Sequence, residues 1–269
     1  MTSYDLADLC RLEQLAADLY VVESPRLGRE RVYGGQVIAQ ALDAARRTVG
    51  DEHGFHSLHG YFIRPGDESR PIVLDVDRIR DGRSFTTRRV VARQESGAIF
   101  NLSASFHRVE PDVEFALPPA DLDVPGPEEC KPDEWPSAAE VRLVPDTAPG
   151  TAAAWVRLHP TRASADDPWL HVLAVAYTSD YIPMDAILAG HELSLAGHGF
   201  DAFMTASLDH ALWYHRPARA DAWMLHRQTL QSLQGSRGVA HGTIHDEDGT
   251  LVATVAQEGL IRPIRSGRP

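Results

Sequence analysis

The chain repeats itself. A strand-like segment HSLHGYFIRP (His56–Pro65) has a counterpart in DHALWYHRP (Asp209–Pro217), and both end in Arg-Pro. Three β-rich runs follow each one: PIVLDVDRIRDGRSFTTRRVVARQESGAIFNLSASFHR in the first half, AWMLHRQTLQSLQGSRGVAHGTIHDEDGTLVATVAQEGLIR in the second. Glycine turns separate the runs, at Asp81-Gly82 and Gly97 in one half and at Gly235 and Asp248-Gly249 in the other. Arg64-Pro65 and Arg216-Pro217 lie 152 residues apart, and so do Gly97 and Gly249. Strands and turns that return in the same order at one interval read as an internal duplication.

Each half also places one apolar helix before its strands. The first is GGQVIAQALDAARRTV (Gly34–Val49), rich in small residues that allow close packing on a sheet. The second is DPWLHVLAVAYTSD (Asp167–Asp180), with Asp167 as N-cap and Pro168 in the first helical position. A helix apolar around most of its circumference must be buried. One buried helix and several antiparallel strands, twice over, predict an α+β fold with each helix wrapped by a curved sheet. Nine of the eighteen prolines fall between Pro111 and Pro149. Proline breaks helices and cannot donate to a ladder, so an acidic linker is expected at 111–135, joining repeats at 1–110 and 136–269.

Composition excludes several functions. Among 269 residues, 43% are hydrophobic and 24% charged, ordinary values for a globular protein. A net charge of −12 lacks the basic footprint that nucleic-acid binding requires. Lys131 is the only lysine, and it stands in the Pro-rich stretch, so Schiff-base chemistry is discarded. No apolar run approaches the ~18 residues of a membrane span, and MTSYDLADLCRLEQ lacks a basic region followed by a hydrophobic core. A cytoplasmic protein is expected. Cys10 and Cys130 show neither metal nor redox spacing and read as inert thiols.

The common nucleophile, zincin and P-loop motifs are absent. Gly197–Ala202 fits a loose dinucleotide pattern, but without a βαβ unit it reads as a loop after a helix. His56 and His59, three apart in a strand, should face opposite ways and not converge on a metal. Three polar residues sit in apolar surroundings. Asp180 comes at the end of the second helix, where the dipole disfavours an acid. Ser207 is expected at the start of a central strand, and Gln257 within the final one. Each alone is explained by a satisfied buried polar group. Together, a carboxylate, a hydroxyl and a carboxamide are the parts that hold and deprotonate a water. Spacing alone does not bring them together.

The segments RVYGGQVIAQAL, HSLHGYFIRPGD, RDGRSFTTRRV, ASLDHALWYHRP and TVAQEGLIR resemble, in that order, the acyl-CoA thioesterase II family, the bacterial double-hotdog thioesterases. The resemblance covers nearly the whole chain outside the Pro-rich stretch. It implies two fused hotdog units and hydrolysis of fatty acyl-CoA by direct attack of water, with no metal or other cofactor. By the same resemblance, Asp180 in YTSD is the general base. Ser207, two residues before Asp209-His210, and Gln257, before Glu258-Gly259, hold the water. Better-known relatives carry Thr where this chain has Ser207; the hydroxyl is kept. The Gly34-Gly35 turn of the other repeat is the expected oxyanion donor. Arg64, Arg83, Arg88, Arg89 and Arg237 are candidates for the CoA phosphates, or else solvated strand arginines.

Two other readings are weighed. A hotdog enoyl-CoA hydratase uses Asp-x-Asn-Pro-apolar-His, and here Ile182 and Asp185 replace its Asn and His. A non-catalytic acyl-CoA-binding protein would not need the Asp, hydroxyl and Gln. Exposed sheet edges and hotdog precedent predict a homodimer or higher homo-oligomer.

Overall fold

The structure, a computed structural model, describes residues 4–25, 31–110, 118–133, 138–145, 147–159, 167–197 and 199–264. A short helix α1 (Leu6–Leu9) and a hairpin β1 (Glu13–Ala16) and β2 (Leu19–Val22) precede the first long helix, α2 (Gly34–Arg46). Strands β3 (His53–Phe62), β4 (Ile72–Asp81), β5 (Phe85–Gln94) and β6 (Gly97–Arg108) complete the first repeat. Then come β7 (Lys131–Pro132), β8 (Ala139–Leu143), β9 (Thr151–Leu158), α3 (Pro168–Thr178) and α4 (Pro183–Ala189). The chain finishes with β10 (Phe203–Ser207), β11 (Asp209–Tyr214), β12 (Met224–Gln234), β13 (Arg237–Asp246) and β14 (Leu251–Pro263).

Among the described residues, all fourteen strands join one sheet in the order β1-β2-β4-β5-β6-β3-β11-β14-β13-β12-β9-β8-β7, with β10 also on β14. The order reads alike from both ends toward the β3–β11 pair, the pattern a duplication with a pseudo-two-fold axis produces. Three ladder irregularities recur at matching places: His56 and Leu208, the 77–80 and 230–232 stretches, and Ala92-Arg93 and Ile244-His245. The interval is not constant, however. The β13–β14 turn holds three residues, 247–249, where β5–β6 holds two, 95–96. Register therefore matches β3–β5 to β11–β13 at 152 and β6 to β14 at 153, so that Gly97 corresponds to Thr250 rather than Gly249.

The two long helices pack on each other inside the curve of the sheet, in antiparallel sense. At one end Trp169 Nε1 donates to Asp43 Oδ1 (2.8 Å); at the other Tyr33 Oη donates to the Tyr177 carbonyl (3.1 Å). One core runs through both repeats, joining Ile38, Leu42, Leu58 and Phe106 to Leu173, Leu212, Ile244 and Val255. Asp167 caps α3 by accepting from Trp169 N (2.9 Å), and Pro168 takes the first position, as expected. Both helices are shorter than the sequence suggests, ending at Arg46 and Thr178.

The Pro-rich stretch differs from a free linker. Residues 111–117 and 134–137 lie outside the described residues, but 118–133 packs against the outer face of the second repeat. Leu122 and Val124 rest on Trp155, Trp223 and Leu225, and Trp155 Nε1 donates to the Pro125 carbonyl (2.8 Å). The His56 bulge corrects a second expectation. It turns His56 outward to Ser105 Oγ (2.8 Å), onto the face that carries His59, which packs edge-on against Trp213. No helix among the described residues is long and apolar enough to cross a membrane.

Candidate active site

Three elements bring Asp180, Ser207 and Gln257 to one place. Thr178 and Ser179 end α3 by turning their hydroxyls onto the Ala174 and Ala176 carbonyls (both 2.8 Å), and the chain leaves the helix into Asp180. Asp180 is 7% exposed and Gln257 1%. Ser207 ends β10 instead of beginning a strand. Strands β10 and β11 both pair with β14, and the register slips by one residue between them, at Leu208. Such a bulge re-aims side chains, so Ser207 and His210, three apart, both face inward.

The hydrogen bonds form a directed chain. Gln257 Nε2 donates to Ser207 Oγ (3.0 Å), and the Ser207 hydroxyl points to Asp180 Oδ1 across a long 3.4 Å. Asp180 accepts further hydrogen bonds from the Gln257 side chain and the Gly35 N–H. Behind Gln257 stands His210, buried, with Nδ1 2.6 Å from Gln257 Oε1. Burial holds the His210 imidazole neutral, with a pKa of about 4. Its one N–H therefore serves Gln257 Oε1, and Nε2 lies 2.8 Å from Ser179 Oγ, whose single hydrogen stands between Nε2 and the Ala176 carbonyl. His210 and Ser179 have no signature in the sequence, because only the bulge makes His210 face the site.

The first repeat supplies the other wall. The N-terminus of α2 meets the C-terminus of α3, and Gly34 and Gly35 allow the approach. A Cβ at position 35 would collide with the Tyr177 carbonyl; one at position 34 would strike Asp180 Oδ2 and lie 2.9 Å from the Phe62 ring. The acid that the α3 dipole disfavours thus sits at the positive end of α2. Burial still dominates. It raises the Asp180 pKa to about 7, against the hydrogen bonds from Gln257, Gly35 and Ser207 that favour the carboxylate.

The arginines divide. Arg88 is 1% exposed, donates to Thr48 Oγ1 (2.7 Å) and pairs with Asp81, so it is removed as a phosphate ligand. Arg89 pairs with Asp77 (2.8 Å), and Arg237, largely exposed, with Glu258 (3.2 Å). Arg64 donates to the Ala98 carbonyl (2.8 Å). Of the loose dinucleotide pattern, His198 lies outside the described residues, and Gly197 adopts φ +90° after a one-turn helix.

Two helix-in-sheet units sharing one continuous sheet, with a buried carboxyl at their junction, define a double-hotdog protein. Comparison with known proteins agrees. The profile of the acyl-CoA thioesterase N-terminal domain matches residues 23–107, and that of the C-terminal domain residues 115–261. The chain is 32% identical to acyl-CoA thioesterase 2 of Haemophilus influenzae, over 96% of this chain and 97% of that one. It is 34% identical to human acyl-coenzyme A thioesterase 8, over 93% and 86%. A crystal structure of acyl-CoA thioesterase II TesB2 from Mycobacterium marinum superposes with a TM-score of 0.81 at 38% identity, covering 96% and 98%. The chain belongs to the acyl-CoA thioesterase II family and is a thioester hydrolase.

Proposed function

We propose that the protein hydrolyses fatty acyl-CoA to free fatty acid and CoA, using water activated by Asp180 and held by Ser207 and Gln257. The observation that carries this reading is a buried carboxyl of near-neutral pKa within one hydrogen-bonded group with a hydroxyl and a carboxamide. A general base works best when its pKa lies near the working pH, and burial brings Asp180 there.

The steps follow from the donors and acceptors. Asp180 accepts a proton from water as the water oxygen attacks the thioester carbonyl carbon. Ser207 and Gln257 fix that water on the side of the carboxylate. The Gly34 N–H at the N-terminus of α2, which has no intrahelical acceptor, faces the oxyanion that develops, the Gly35 N–H being held by Asp180. The C–S bond then breaks, and the CoA sulfur leaves with the proton held by Asp180. No covalent enzyme intermediate forms.

Asp180→Asn tests the assignment. Turnover, read as CoA thiol release, is expected to fall by roughly 10²–10⁴, while circular dichroism and acyl-CoA affinity stay as in the wild type. Wild-type hydrolysis in this variant would overturn it.

A further inference from the structure

The duplication allows each inner-face residue of one repeat to be compared with its counterpart in the other. In the first repeat, Tyr20 pairs with Leu74 and Val76 with Val90, and all four are buried, one a tyrosine and three aliphatic. At the matching places in the second repeat, Ala154 pairs with His226 and Gln228 with Gly242. Two large side chains have become Ala and Gly, and the two aliphatic ones on β12 have become polar. The polar pair is nonetheless sealed off, His226 being 1% and Gln228 2% exposed. Among the described residues, neither amide atom of Gln228 nor His226 Nε2 has a hydrogen-bond partner.

Gln228 lies on the same inner face of the sheet as Gln257. Gln228 lies over Gly242, where a Cβ would fall 2.5 Å from its Oε1, and so reaches toward the strand of Gln257. Gln257 pairs with Ala240, two residues from Gly242 on the same face. From Gln257 to Gln228 is two strand spacings and one two-residue step, roughly 12 Å. On the opposite side, Tyr181 and Ile182, which follow Asp180 directly, pack on Ala152 and Ala154.

We propose that Gln228 and His226 form a polar subsite for the distal part of the acyl chain, selecting substrates that carry a neutral oxygen there, as a hydroxyl or a ketone. The proposal rests on the acyl-CoA hydrolysis argued above. A pocket for plain hydrocarbon gains nothing from an amide and an imidazole with open hydrogen-bonding positions, since every such substrate would leave them unmet. A hydroxyl or ketone on the chain meets them. Burial keeps His226 neutral, with a pKa of about 3, so the pair presents dipoles and no charge. A charged substituent would be desolvated there without a counter-ion from the pair.

The test compares octanoyl- to tetradecanoyl-CoA with hydroxy and oxo analogues whose oxygen moves along the distal half of the chain. For at least one oxygen position, the wild type is expected to prefer the substituted chain by about tenfold in kcat/KM. In Gln228→Met, of similar length but apolar, that preference falls to unity or reverses; His226→Phe provides a second variant. Binding of free hydroxydodecanoate against dodecanoate to the wild type gives a readout independent of turnover and of any variant. Thiol release with no preference at any position, unchanged in Gln228→Met, would mean that ordered water alone satisfies the pair and would overturn the subsite. A binding preference with no thiol release from any acyl-CoA would support the subsite and overturn the hydrolytic reading.

Discussion

A carboxyl group that is both buried and placed beyond a helix C-terminus raises its own cost of ionisation, and the surroundings of Asp180 offset each cost in part. The N-terminus of α2 answers the dipole, and Gln257, Gly35 and Ser207 answer part of the desolvation. With a pKa near 7, kcat/KM should climb with pH through that value and level off above it; Asp180→Asn should lose this limb. Stability should move the other way. Between about pH 4 and 7 folded Asp180 keeps a proton that the unfolded chain releases, so its contribution falls as pH rises. Urea unfolding of wild type and Asp180→Asn should therefore show the wild type losing ground across that window, by up to roughly 4 kcal/mol. His210 calls for a different experiment. His210→Leu leaves Gln257 free to rotate and should lower kcat by roughly ten- to a hundredfold. It should also move the pH limb upward, as Asp180 loses its hydrogen bond from Gln257. His210→Asn, which keeps an N–H, should recover part of both. Asp180, Ser207 and Gln257 were legible singly as polar residues in apolar runs. His210 was not, because inward and outward parity along β10–β11 depends on a bulge that no local residue announces. Arg88 misled for the opposite reason: its charge suggested a ligand for phosphate, while its strand position buries it.

At the scale of elements, the crossing of α2 and α3 is set by two glycines that bear on different things. Gly35→Ala drives a methyl into the Tyr177 carbonyl and the Tyr33 ring, so the helices must part. The expected loss is about 1–3 kcal/mol in chemical denaturation. Gly34→Ala meets the Asp180 carboxylate and Phe62, groups that can yield, so activity should fall further than stability. Thiol-release assays beside melting curves will separate the two. Helix starts were readable from Asp167-Pro168 and from the Gly34-Gly35 pair. The strap at 118–133 was not, since proline density reports only what a segment cannot do. Its carbonyls remain good acceptors, and Trp155 and Arg227 use those of Pro125, Asp121 and Leu122.

For the whole molecule, the shared core and the β3–β11 ladder make each repeat the other's missing layer. Residues 1–110 alone would expose the β3 edge and the face of α2 that meets α3; residues 111–269 alone would lose the helix N-terminus facing Asp180. Neither piece should release thiol from acyl-CoA, whereas co-expression of both should restore it. The duplication was visible in the sequence because glycine turns and Arg-Pro corners punctuate both halves. The change from 152 to 153 was not, since an extra turn residue leaves the strand pattern intact.

The same symmetry allows for a second centre, and the chain has dismantled it. Two residues beyond α2, where α3 is followed by Asp180, stands Thr48, which Arg88 has captured. Ala104 occupies the place of Gln257. The opposing helix begins with Pro168, which has no N–H, and the N–H of Trp169 is spent on Asp167. On the proposed assignment the duplication divides labour rather than doubling it, and the expected stoichiometry is one turnover site per polypeptide.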